Sequence, residues 1–214
     1  MIIAIDGPSA AGKSTIAKLL AKELGIDYID TGAMYRAIAL KVMRCGVNAE
    51  NEAELAVFLA ATDIDLAGPQ VLLDGEDVSG LIRTEEVSMQ ASKISAIPAV
   101  RGKLVALQRD IGARKSVVMD GRDIGSNVFP GAEYKFFITA SPEVRAERRL
   151  KELKVRGETV VFEDVLNDIR KRDWDDSNRP LNPLVQTEDA TLILTDDLGI
   201  NEVLAEVLGR IKEA

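Results

Sequence analysis

The residues best suited to chemistry lie near the start of the chain, in the stretch GPSAAGKS from Gly7 to Ser14. It fits the pattern G-x-x-x-x-G-K-[ST] of a phosphate-binding loop, or P-loop. The apolar residues 1–5 before it predict a buried parallel strand. Residues 15–24 after it predict an amphipathic helix that ends at Gly25. In that setting the N–H groups of the loop and the helix N-terminus surround a phosphate. We therefore expect a nucleoside triphosphate to bind Gly7, Pro8, Ser9, Ala10, Ala11, Gly12, Lys13, Ser14 and Thr15.

Two side chains of the loop and one carboxylate predict how the triphosphate and its metal are held. Lys13 should reach the β- and γ-phosphates, and the Ser14 hydroxyl should bind Mg²⁺. Asp120 ends a second apolar strand, residues 116–120, where a P-loop fold places a carboxylate near the metal. The alternative for Asp120 is a simple turn cap.

Composition narrows the chemistry further. The chain of 214 residues contains no histidine, which excludes histidine-based acid–base, nucleophilic and zinc chemistry. The net charge of −8 disfavours a general nucleic-acid binder. Eleven of the 15 arginines nevertheless lie between Arg101 and Arg179, which indicates a local anion site. The single Cys45 suits a reducing compartment, and no signal peptide is visible. No apolar run is long enough to span a membrane, so we expect a cytoplasmic protein.

Strand and helix patterns alternate along most of the chain, which predicts the α/β class. We expect a P-loop three-layer α/β/α fold with a central parallel sheet, as one domain over residues 1–214. Short extended pieces around an Asp-Gly turn interrupt the alternation and predict a small antiparallel β subdomain inserted at residues 63–90. A charged helical hairpin, whose second helix is predicted from about Phe162 to Trp174, predicts a lid at residues 148–162, although such hairpins are usually solvated surfaces.

A second group of polar residues predicts a site for a second substrate. Thr31 and Arg36 lie where the second predicted strand meets a helix, although the alternative, a helix cap and a solvated charge, is favoured when they are taken alone. The chain has no Asn-Lys-x-Asp string, which argues against a regulatory GTPase, and Asp120 is followed by Gly121 where an ATP-driven machine would usually place a glutamate. Phosphoryl transfer to a small acceptor is the reaction that these residues favour.

Five segments resemble the bacterial cytidylate kinase family in order and spacing. They are IDGPSAAGKST, IDTGAMYR, LDGEDVSGLIRTEEV, VMDGRDIGSNVFP and RDWDDSNRP, and the resemblance covers essentially the whole chain. It implies transfer of the ATP γ-phosphoryl group to CMP or dCMP in pyrimidine nucleotide metabolism, with ATP and Mg²⁺ bound. The insert at 63–90 would then be the enlarged monophosphate-binding insert of the bacterial enzymes.

The resemblance also implies roles for individual residues. Lys13, Arg122, Arg148 and Arg172 would be catalytic, Ser14 and Asp120 would hold the metal, and Arg149 and Arg156 would join the ATP site. The residues implied for CMP are Thr31, Arg36, Ser92, Arg101, Arg122, Asp123, Arg172, Asp176 and Arg179. Among these, Asp123 would accept the amino group of cytosine, while Arg101 and Ser92 would donate to its ring N3 and O2.

Two other functions remain open from the sequence. The first is a small-molecule P-loop kinase with a different monophosphate or a sugar as acceptor. The second is a nucleotide-binding partner of the translation machinery, which the net charge of −8 disfavours. We expect a monomer that binds small molecules and neither nucleic acid nor a membrane.

Overall fold

The structure is a computed structural model that describes residues 1–68 and 70–212. Pro69, within the predicted insert, lies outside the described residues. The strands are β1 (Ile2–Asp6), β2 (Asp27–Asp30), β3 (Ile64–Ala67), β4 (Gln70–Leu73), β5 (Glu76–Asp77), β6 (Val117–Gly121), β7 (Tyr134–Thr139) and β8 (Thr191–Leu194). The helices are α1 (Lys13–Leu24), α2 (Thr31–Cys45), α3 (Glu52–Ala60), α4 (Glu85–Ile94), α5 (Pro98–Arg114), α6 (Pro142–Val155), α7 (Phe162–Asn178) and α8 (Ile200–Lys212).

Two compact units divide the chain. One consists of Met1–Tyr28 and Ser116–Ala214, and the other of Ile29–Lys115. We call them the P-loop unit and the inserted unit. The predicted division into one domain with an insert at 63–90 and a lid at 148–162 stays a prediction.

The P-loop unit is built around a five-stranded sheet in the order β2-β6-β1-β7-β8. Strand β1 lies at the centre and pairs in parallel with β6 and β7, and β7 pairs in parallel with β8. Apolar side chains of the strands, such as Ile3 and Ile5, pack against Ile16 of α1 and Val207 of α8. This confirms the predicted parallel sheet flanked by helices, whose central strand carries the P-loop at its carboxyl end.

Helices α6 and α7 pack against each other through a small apolar cluster of their own, made by Ala146, Leu153, Val165, Leu166 and Ile169. The Ser141 side chain caps α6 by accepting the Val144 N–H at 3.4 Å, and Pro142 is the first helical residue. Helix α7 extends to Asn178, beyond the predicted end at Trp174. The RDWDDSNRP segment is therefore mostly helical.

The inserted unit contains the small antiparallel sheet, which confirms that prediction. Its strands have the order β3-β4-β5, and Asp74 and Gly75 form the turn between β4 and β5 with positive φ at both residues. Lys41 of α2 pairs with Asp74 at 2.6 Å and also donates to the Ala61 carbonyl at 2.9 Å. These bonds attach the hairpin turn to α2.

No helix among residues 1–68 and 70–212 is long and apolar enough to cross a membrane.

Candidate active site

The P-loop combines tight backbone packing with an uncapped helix end. Gly7 has φ +147°, and a Cβ placed there would lie 2.0 Å from the carbonyl oxygen of Ile138 on β7. Only glycine fits this close approach. Gly12, at φ 88°, precedes α1 and gives it no side-chain cap, and the first turn of α1 contains no acidic residue. The N–H groups at this helix end therefore suit an anion such as a phosphate.

Lys13 is buried and extends back over the loop. Its Nζ donates to the Pro8 carbonyl at 2.6 Å, and the residue is 5% exposed. Burial, together with the charge of Arg122, lowers the pKa of Lys13 to about 7, against the opposing charges of Asp120, Asp6 and Asp176. A bound anion would stabilise the charged ammonium. Lys13 is therefore only partly protonated at neutral pH without a ligand, and an anion in the loop would complete its protonation.

The predicted metal ligands are in direct contact. Ser14 Oγ donates to Asp120 Oδ2 at 2.8 Å, and Tyr28 Oη donates to Asp120 Oδ1 at 2.8 Å. A hydroxyl and a carboxylate are oxygen ligands of the kind Mg²⁺ prefers, so this pair fits the ion. Among the described residues no three His, Cys, Asp or Glu side chains converge as a metal site.

Two arginine–aspartate pairs lie beyond the carboxyl end of β6. Arg122 Nε donates to Asp176 at 2.8 Å, and Arg179 Nη2 donates to Asp123 at 3.1 Å. Burial opposes ionisation of Asp176, but the charges of Arg122, Arg172 and Arg179 outweigh it and lower the pKa of this carboxyl. The structure therefore brings together five of the predicted CMP residues, all of them charged and in the P-loop unit.

The other predicted CMP residues lie in the inserted unit, where two are at the start of α2. Asp30, and not Thr31, caps this helix: its Oδ1 accepts the Ala33 N–H at 2.8 Å. Thr31 is the first helical residue and is buried. Arg36 donates to Asp30 Oδ2 at 3.0 Å, while its buried Nε makes no hydrogen bond with the described residues. A buried guanidinium N–H left over in this way suits an added phosphate oxygen.

Ser92 and Arg101 lie in the inserted unit on consecutive helices. Arg101 is 2% exposed, donates to the Ser95 carbonyl at 3.3 Å and stacks over the Tyr35 ring at 5.9 Å. Ser95 Oγ in turn donates to the Ser92 carbonyl at 2.7 Å. Two hydrogen bonds through Ser95 thus connect Ser92 and Arg101, the two predicted base contacts of this unit.

The predicted lid arginines have different surroundings. Arg148 donates to the hydroxyl of Thr195 at 3.0 Å and to its carbonyl at 2.6 Å. Arg149 contacts Glu152 at 3.4 Å, and Arg156 is the exposed residue that follows α6. Their predicted roles towards ATP stay predictions.

Comparison with known proteins identifies the family. The cytidylate kinase family model matches residues 3–213. The chain belongs to the cytidylate kinase family. The cytidylate kinase of Caldanaerobacter subterraneus subsp. tengcongensis is 54% identical over 211 residues, covering 99% of this chain and 94% of the relative. The cytidylate kinase of Clostridioides difficile is 49% identical, covering 99% and 98%.

A solved structure outside the cytidylate kinase family shares the fold. The gluconokinase of Sinorhizobium meliloti superposes with a TM-score of 0.53 at 14% identity, and the match covers 99% of this chain and 91% of that one. This likeness shows the α/β fold alone.

Sequence reasoning missed two buried groups in the P-loop unit of this cytidylate kinase family member. Asp6 accepts the N–H groups of Ile124 and Gly125 at 2.8 and 2.7 Å. Arg145 forms a two-bond pair with Asp173, at 2.9 and 2.6 Å, and donates to the Ser9 carbonyl in the P-loop at 3.3 Å. For Asp6 a signal was present, because a carboxylate directly before the first P-loop glycine ends an otherwise apolar strand. The partner of Arg145 is 28 residues away, and no local pattern indicates it.

Proposed function

We propose that this protein transfers the γ-phosphoryl group of ATP to CMP or dCMP, giving CDP or dCDP. Membership of the cytidylate kinase family over residues 3–213 is the observation that carries the proposal. The strand, glycine-rich loop and uncapped helix give the phosphate site that such a reaction requires. In-line transfer between bound phosphates needs positioning and fixed charge more than proton abstraction, which suits a chain without histidine.

For the triphosphate, we assign the loop Gly7–Thr15 and the ammonium of Lys13. The N–H groups at the start of α1 would donate to phosphate oxygens, and Lys13 would stabilise charge on the migrating group. Ser14 and Asp120 would hold Mg²⁺, which neutralises phosphate charge when bound. Arg148, Arg149, Arg156 and Arg172 would add positive charge and exclude water as the lid closes.

For the acceptor phosphate, we assign Arg36, Arg172 and Arg179, and for the sugar hydroxyls Asp176. For the cytosine base, we assign Ser92, Arg101 and Asp123. Thr31 and Arg122 complete the set of residues proposed for CMP. Asp123 accepts a hydrogen bond from Arg179 through Oδ1 and one from Asn127 through Oδ2. An ionised carboxylate accepts from the 4-amino group of cytosine and repels the 4-carbonyl of uracil. UMP should therefore be a poor substrate.

We extend the proposal to where the protein acts and what it binds. We propose a monomer in the cytoplasm that acts on nucleotides and does not bind nucleic acid, which the net charge of −8 supports.

The direct test is ADP formation from ATP and Mg²⁺ with CMP, dCMP, UMP, AMP, GMP and TMP in parallel. We expect CMP and dCMP to give turnover well above the others. A matched Asp123→Asn variant, which replaces only the charge-bearing oxygen, should reduce the preference for CMP over UMP. Turnover with a different monophosphate would leave a small-molecule kinase with a wrong base assignment. ATP binding without any turnover would overturn the kinase proposal.

A further inference from the structure

Asp6 is a buried carboxylate at the carboxyl end of β1, directly before the P-loop. The residue is 6% exposed, and each of its two oxygens accepts one backbone N–H: Oδ1 from Ile124 at 2.8 Å and Oδ2 from Gly125 at 2.7 Å. Hydrogen bonds to an ionised acceptor are shorter and about twice as strong as those between neutral groups. The side chain therefore fixes a backbone segment 118 residues further along the chain.

That segment directly follows Asp123, which we propose accepts a hydrogen bond from the 4-amino group of cytosine. Asp123 is itself buried, and it precedes a single wide helical turn at Ile124–Val128. Its carboxylate accepts from Asn127 at 3.0 Å and from Arg179 at 3.1 Å. The bonds from Ile124 and Gly125 to Asp6 thus fix the backbone directly after Asp123, and with it the position of Asp123.

The other side of the turn is closed by packing. A Cβ at Gly125 would lie 3.1 Å from Lys135 Cδ and 3.4 Å from Asp6 Oδ2, so the backbone passes closely between these two side chains. Lys135 is held in place by the Pro130 carbonyl and by Asp189, both at 2.6 Å. The turn has little room to move while the carboxylate of Asp6 stays in place.

Keeping a charge at this position is unfavourable for the fold. Burial raises the pKa of Asp6 to about 6, with a further contribution from the charge of Asp123, while the two N–H groups and Lys13 act in the opposite direction. A buried carboxylate whose bonds all go to one distant turn indicates that the position of the turn matters.

We propose that Asp6 is a positioning residue for base selection: by holding the Ile124–Gly125 backbone, it sets where Asp123 presents its carboxylate to the cytosine. The inference rests on the proposed function and deepens it. Asp6 itself does not touch the base, and its effect passes through the turn.

The test is the Asp6→Asn variant, which keeps the shape but turns an amide NH₂ towards one of the two N–H donors. CMP binding is measured by calorimetry without ATP, and kcat and KM are measured for CMP, UMP and ATP. We expect the Kd for CMP to rise about tenfold and the preference for CMP over UMP to fall by a similar factor. The KM for ATP should change by a clearly smaller factor than the Kd for CMP, because the P-loop N–H groups do not donate to Asp6 and only its charge acts on Lys13.

Glu133→Gln is the matched control. Glu133 accepts the N–H of Ile2 at 2.7 Å, so it makes the same kind of bond at the opposite end of β1. This variant should leave CMP binding and base preference unchanged. Gly125→Ala supplies a second perturbation, because its Cβ displaces the turn while Asp6 remains; it should reproduce the loss of CMP affinity even if Asp6→Asn does not fold.

A double-mutant cycle distinguishes positioning from general weakening. In an Asp123→Asn background, Asp6→Asn should have little further effect on CMP binding, because both changes act through one carboxylate. Three results would overturn the inference: a lower Tm with CMP binding and base preference unchanged, an equal loss of CMP and ATP affinity, or additive effects in the cycle. If the wild-type chain does not phosphorylate CMP at all, the proposed function fails first and the inference falls with it.

Discussion

The lowered pKa of Lys13 predicts that ATP binding takes up a proton. With a pKa of about 7, roughly nine tenths of the lysines are neutral at pH 8 before the ligand arrives. The negative charge of the triphosphate should return the pKa towards its ordinary value of 10.5, so nearly every lysine is charged in the complex. The expected uptake at pH 8 is therefore about 0.9 proton per ATP, falling to about 0.1 at pH 6.

The same linkage fixes the sign and the size of the pH dependence of affinity. Because the complex binds more protons than the free protein, ATP should bind more tightly as the pH falls. Between pH 8.5 and 7.5 the Kd should decrease by about eightfold, since the neutral-to-charged ratio of free Lys13 changes by a factor of ten around a pKa of about 7. Asp6, with a pKa of about 6, is ionised throughout this interval and does not contribute.

The assay is calorimetry with a non-hydrolysable ATP analogue at pH 8, in two buffers that differ in ionisation enthalpy. The difference in observed heat gives the number of protons taken up. Lys13→Met should abolish the uptake at saturating ligand, whereas Lys22→Met, an exposed lysine on the same helix, should not change it. An uptake near zero in the wild-type chain, with a Kd that does not change between pH 8.5 and 7.5, would show that Lys13 is already charged and refute the reasoning.

Two further predictions concern the packing that holds the P-loop. Arg145→Met should lower the free energy of unfolding, measured in urea, by about 3 kcal/mol, because it leaves Asp173 without its buried partner. The control Arg170→Met removes an exposed ion pair between the same two helices and should cost under about 1 kcal/mol. Equal losses would contradict the role given to burial. Gly7→Ala should destabilise the fold by at least about 3 kcal/mol, because φ is +147° and the Cβ meets a β7 carbonyl at 2.0 Å. Gly102→Ala, in open space within α5, should instead stabilise it by about 0.5–1 kcal/mol, and a tolerated Gly7→Ala would show that the loop backbone can relax.

Local patterns predicted the features whose cause is local. The P-loop letters and their flanking strand and helix indicated the loop that the structure contains, and the Asp-Gly pair indicated the turn at Asp74 and Gly75. The alternative of Thr31 as the helix cap is wrong, because the capping side chain belongs to Asp30 and α2 begins at Thr31. The predicted end of α7 at Trp174 was too early because polar Asp-Asp-Ser-Asn resembles a loop, whereas the helix continues through the buried Asp176 to Asn178.

The partners of the charged side chains could not be predicted from local patterns. Arg122 and Asp176 are 54 residues apart in the chain, and Asp123 and Arg179 are 56 apart. Their contact depends on how β6 and α7 pack, which neither propensity nor periodicity encodes. The family resemblance grouped these residues by role, but it did not indicate that each proposed substrate acid is held by a proposed substrate arginine.

These pairings also explain how the P-loop unit can bury so many charges. A buried cation without a partner would strongly destabilise the fold, so each added arginine requires a carboxylate nearby. Near the P-loop, the buried Lys13 and the half-buried Arg122, Arg172 and Arg179 lie among the buried carboxylates of Asp6, Asp120, Asp123 and Asp176. Negatively charged phosphates would shift this balance towards the cations and raise the pKa of Lys13. Burial and the charge of Arg122 leave Lys13 near neutrality in the free protein, and the acids around it only partly offset this until the triphosphate arrives.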